Sequence, residues 1–97
     1  MEIHGEADIT AVADIDKAFR ALIENGSKHI VIDCTGAEFV DSKVVEALIR
    51  GARAAQRSGV AVAAACSEGA VARALEICGV EHAMPLHASR ADAVAAL

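Results

Sequence analysis

Asp41 and Ser42 stand side by side where a β-branched run gives way to a helical pattern, inside the stretch Glu38-Phe39-Val40-Asp41-Ser42-Lys43. A hydroxyl directly behind a carboxylate at a helix start has three uses. It can cap the helix, because Asp and Ser side chains accept hydrogen bonds from the first free amides. It can accept a phosphoryl group. It can also join an anion site, because the helix N-terminus favours negative charge. Lys43 would partly neutralise a phosphate on Ser42, and Asp41 and Glu38 would oppose it.

Other residues with chemical potential do not assemble into a site by spacing. Ser42, His82 or His87, and Asp33 contain the groups of a nucleophilic triad, but Ser42 lacks the flanking glycines of a strained nucleophile turn. No Gly-rich phosphate loop is present. Cys34, Cys66, Cys78, His82 and His87 have no zinc spacing, so no metal is expected. Cys34 and Cys66 each end an expected strand. If those strands are neighbours, the backbones lie about 4.8 Å apart there, and a redox pair is conceivable. Two small buried thiols are the plainer reading. Cys78 is expected in the core. No cofactor is implied, and an enzymatic role is set aside.

The elements that position Asp41 and Ser42 follow from periodicity. Val12, Ile15, Phe19, Leu22 and Ile23 recur at helical spacing within Ile9 to Glu24. Lys28 to Cys34 reads as a strand covered on both faces. Val44 to Arg57 reads as a second helix with Val45, Leu48, Ile49, Ala52 and Ala55 inward. Val60 to Cys66 is a second buried strand, and Ala70 to Cys78 a third helix. Met84 to His87 is a short edge strand limited by Pro85. Ser89 to Leu97 is a last helix with Ser89 as its cap. This alternation predicts an α/β layer fold, one domain over residues 1–97, with the Asp41-Ser42 turn at the carboxyl end of a strand.

Composition narrows the function. The chain has 97 residues, 55% hydrophobic and 24% charged, with a net charge of −5. Nine scattered bases against fourteen acids do not make a phosphate-neutralising surface, and two Phe without Tyr or Trp give no stacking platform. Nucleic acid is therefore not an expected partner. The longest apolar run, Val60 to Cys66, falls far short of the roughly 20 residues of a spanning helix. The N-terminal residues carry no secretory signal pattern, and an odd number of cysteines suits a reducing compartment, so the expected location is the cytoplasm. Alanine takes the place of aromatics, which predicts modest stability or support from a partner.

The order of these features resembles the STAS domain (sulphate transporter and anti-sigma factor antagonist). Gly5-Glu6-Ala7-Asp8 is similar to that family's entry to its first helix. His29-Ile-Val-Ile-Asp33, a short loop and Phe39-Val-Asp-Ser42 follow, then Gly59, a strand, Ser67, and Val71-Ala-Arg-Ala-Leu75 through Gly79-Val80. The resemblance implies a bacterial, non-enzymatic binding module with a mostly parallel or mixed sheet and about four helices. In anti-sigma factor antagonists of this family, the Ser after the Asp is phosphorylated by a partner that is both anti-sigma factor and kinase. Carried over, Ser42 is the phosphoacceptor, and Glu38, Asp41, Ser42, Lys43 and Val44 face the partner. An alternative the resemblance also implies is an accessory subunit that binds the ATPase of a lipid-transport complex.

Three departures from the family pattern stand out. Lys43 replaces a small residue and Val44 replaces a glycine, which would remodel docking of the usual kinase. Only about Glu2 to His4 remains of the strands before the first helix. That would leave a sheet edge unpaired, for a homodimer or another partner to cover.

Overall fold

β2 holds the fold together, and it is longer than the sequence pattern indicates. In the computed structural model, which describes residues 1–97, it runs over His29–Val40. Its first half pairs with β3 (Ala61–Ala65), from His29 opposite Ala61 to Asp33 opposite Ala65. Its second half pairs with β1 (Glu2–Ala7), from Asp33 opposite Glu2 to Val40 opposite Ala7. The strand thus changes its main partner at Asp33. The expected end at Cys34 is corrected, because Thr35 to Glu38 lacks apolar alternation yet is held by the β1 ladder. β1 is likewise longer than expected, reaching Ala7.

With β4 (Leu86–His87), the sheet has the order β1-β2-β3-β4, and all pairs are parallel. Each crossover therefore steps one strand in the same direction. Right-handed crossovers of that kind place every connecting helix on one face. α1 (Val12–Glu24), α2 (Ser42–Arg57) and α3 (Ala70–Ile77) occupy that face. They form the main core against Ile3, Ile30, Ile32, Val62 and Ala64. α4 (Arg90–Ala95) follows the last strand and covers the opposite face, where Ala93 meets Ala63 and Ala65. Pro85 precedes β4, and its carbonyl accepts from the amide of Ala64 at 2.9 Å.

Local chemistry explains most boundaries. Asp8 caps a 3-10 turn at Ile9–Ala11, so α1 begins at Val12 and not at Ile9. Ser89 accepts from the amide of Asp92 at 3.1 Å and starts α4. Gly51 permits close contact between α1 and α2, since a Cβ there would lie 2.2 Å from the ring of Phe19. Cys78 is exposed, which corrects its expected core position. It sits at the C-cap of α3, one residue past the helix end, and the buried residues of α3 are Val71 and Leu75.

Candidate functional site: the start of the second helix

Asp41 joins three elements. Its amide donates to the carbonyl of Ala7 at 2.9 Å, tying the chain beyond β2 to the end of β1. Its Oδ1 accepts from the amide of Lys43 at 2.8 Å. Its backbone is extended, with φ −77° and ψ 152°, and its carbonyl accepts from the amide of Val45 at 3.1 Å. Asp41 is therefore the helix cap. Ser42 is the first helical residue and is exposed. Because the capping bond comes from Asp41, the Ser42 hydroxyl is not used to close the helix end.

The neighbours divide by helical position. Lys43 is exposed and pairs with Glu46 at 3.4 Å. Val44 is fully buried. The expectation that Val44 faces a partner is corrected: the first turn of α2 points this side chain into the core beside Val45 and Leu48. Glu38 is exposed, but it belongs to β2 and not to the turn. It lines a cavity of about 210 Å³ with Cys34, Thr35, Cys66 and Ser67. Asp41, Ser42 and Lys43 do not line that cavity, so Glu38 is set apart from them.

The sequence pattern does not foretell the exposure of two apolar residues near Asp41. Phe39 is 51% exposed and Ile9 is 62% exposed. Phe39 lies two residues before Asp41, and the turn bearing Ile9 contacts α2. Both look like core residues by type. The length of β2 and the 3-10 turn put them outside.

The triad residues do not come together as one. Asp33 accepts from the amide of Thr35 at 2.9 Å and from its hydroxyl. These bonds hold its carboxyl below the usual range, with a smaller contribution from Arg90. Arg90 bonds Glu2 at 2.8 Å and lies 3.8 Å from Asp33. The His4 contact and then Arg90 lower the Glu2 carboxyl. Nε2 of His87 is buried without a hydrogen-bond partner. Cys34 and Cys66 follow the paired residues Asp33 and Ala65 on neighbouring strands, and both are free and buried. Burial, then the proximity of Cys66 and Asp33, pushes the Cys34 thiol up to about 12. Burial also raises Cys66. Such thiols are poor nucleophiles.

A family model, the STAS domain, matches residues 1–93. This chain belongs to the STAS domain family. A comparison with curated proteins finds no match. Among solved structures, the STAS domain described here is similar to an anti-sigma factor antagonist from Mycobacterium paratuberculosis, with TM-score 0.79 and 22% identity over 98% of this chain and 80% of that one. It is similar to the anti-sigma factor antagonist SpoIIAA in its unphosphorylated form, with TM-score 0.72 and 17% identity over 98% and 83%. It is also similar to the STAS domain of a SulP transporter from Vibrio cholerae, with TM-score 0.75 and 14% identity over 98% and 78%. At these identities the likeness shows the fold. No helix is long and apolar enough to cross a membrane.

Proposed function

We propose that this STAS domain is a non-enzymatic partner switch of the anti-sigma factor antagonist kind, whose binding to an anti-sigma factor and serine kinase is turned off by phosphorylation of Ser42. The observation that carries the reading is the division of labour at the helix start. Asp41 makes the capping bond, and Ser42 presents an uncommitted hydroxyl on the surface. A kinase can take that hydroxyl without dismantling the cap. The exposed ring of Phe39 and the side chain of Ile9 provide apolar area near it for a partner to bury. A phosphate there would add about −1.5 to −2 charges. The helix N-terminus tolerates that charge, while Asp41 beside it and a docked partner surface do not.

This role belongs in the cytoplasm of a bacterium and needs no cofactor. Asp41, Ser42 and Lys43 form the contact surface. Val44 acts from beneath by fixing the first turn. Incubation with a cognate anti-sigma kinase tests the reading. Wild type is labelled and Ser42→Ala is not, and Ser42→Glu keeps its fold but loses the complex. Equal labelling of wild type and Ser42→Ala removes Ser42 from the mechanism. Recovery of a transporter ATPase and no kinase in a pull-down from native cells supports the accessory-subunit role instead.

A further inference from the structure

β1 is an edge of the sheet: β2 pairs with one side, and no strand lies on the other. Unpaired edge groups are a template for another strand. Beside this edge, β1 and α1 enclose a groove of about 300 Å³. Ile3, Ala7, Ile15 and Ala18 form its apolar floor, and Glu6 and Asp14 stand at its rim, both exposed. Along β1, Ile3 and Ala7 are buried while Glu2, His4 and Glu6 are exposed. The inward face is thus apolar; on the outward face Glu2 is already held by Arg90 at 2.8 Å and His4 at 2.9 Å, which leaves Glu6, with Asp14 across the groove, to receive a cation.

From this pattern we infer that the β1 edge is a second binding surface, which accepts a short partner strand of alternating apolar and basic residues. Side chains alternate across a strand with a period of two. In an added strand, one set would enter the groove against Ile15 and Ala18. The other set would lie within reach of Glu6 and Asp14 at the rim, where cations are favoured. Main-chain hydrogen bonds would supply affinity and the alternation would supply selectivity. Register shifts in the β1 ladder, one of them between Gly5 and Glu6, keep the complementary segment short. A second copy of this chain fits worse. Its own β1 offers Glu2, His4 and Glu6 and no Lys or Arg, so it lacks the cations that the alternation calls for. The edge ends at Ala7, whose carbonyl already accepts from Asp41. A strand docked here would therefore end next to Ser42, although its binding does not require phosphorylation there.

The test uses the full chain, labelled with nitrogen-15, and two short capped peptides, one alternating valine and lysine and one alternating valine and glutamate. The lysine peptide should give saturable amide shifts confined to β1 and the first half of α1, with slowed exchange of β1 amides. The glutamate peptide should give neither. Raising the salt should weaken the lysine complex. The exposed double substitution Glu6→Lys with Asp14→Lys should weaken it about tenfold at low salt, with an unchanged circular dichroism spectrum. Equal response to both peptides overturns the proposal, as do shifts remote from β1. It is also overturned if the free chain dimerises with its own β1 amides protected.

Discussion

The amide of Asp41 donates to the carbonyl of Ala7 at 2.9 Å, so the start of α2 is fastened to the end of β1 by main chain alone. Side-chain substitutions at the candidate site therefore leave that joint in place. The cap and the surface hydroxyl can be tested separately.

Asp41→Ala removes the acceptor for the Lys43 amide. It should lower stability by about 1 kcal/mol, and Asp41→Asn by much less, because Asn caps nearly as well. Ser42→Ala should stay within about 0.5 kcal/mol of wild type, as expected for an exposed residue outside the cap. Urea denaturation of the three variants checks this ordering. A larger loss at Ser42 than at Asp41 would assign the cap to the wrong residue.

Gly51→Ala should be among the most damaging single-methyl additions in the chain. The new Cβ would lie 2.2 Å from one ring carbon of Phe19 and 2.4 Å from the next. Phe19 is 2% exposed, and its ring could yield only toward the open cleft that it lines with Gly51, at the cost of its core packing. A loss of about 1–3 kcal/mol is expected from overpacking. Combining it with Phe19→Leu should cost less than the sum of the two single changes, which thermal denaturation of the double-mutant cycle will show.

Much of this was legible from residue types. The α/β alternation, the capping role of Ser89, the brevity of the edge strand after Pro85 and the burial of Cys34 and Cys66 follow from periodicity and local chemistry. The site was legible as a position, because Asp41 and Ser42 follow the β-branched run of Lys28 to Cys34 and open a helical pattern. What escaped was set by long-range pairing. Thr35 to Phe39 has no strand pattern of its own and is extended because β1 lies beside it. The family resemblance places Val44 with Lys43 at the partner, yet a helix turns neighbours by about 100°, and this turn aims Val44 inward. Cys78 was assigned to the core by its apolar neighbours, whereas α3 has already ended there.

Thiol labelling separates the cysteines. Cys78 is exposed, and Cys34 and Cys66 are buried with raised thiols. A thiol-specific reagent at pH 8 should modify Cys78 alone in the native chain, and all three cysteines in denaturant. Fast native labelling of Cys34 would contradict the burial described for the ends of β2 and β3.

Asp33 should make the fold sensitive to acid. Its carboxyl is lowered in the folded chain, chiefly by the Thr35 hydroxyl and amide. A lowered folded value means stability that is present above the unfolded value, about 3.9, and is lost as pH falls through the folded value. Thr35→Val removes the hydroxyl bond, so it should be less stable than wild type at pH 7, and the gap should narrow towards pH 3. Urea midpoints measured across this range check the sign. A gap that widens on acidification would reverse it.

Phosphorylation of Ser42 is tested most directly by intact-mass analysis of the protein isolated from its native cells with phosphatases inhibited, followed by peptide mapping. A species heavier by about 80 Da, the mass of one phosphoryl group, is expected, mapped to Ser42, absent from Ser42→Ala and unable to bind the partner that the lighter form binds. An addition mapped to another residue, or a phosphorylated form that binds that partner equally well, would contradict it.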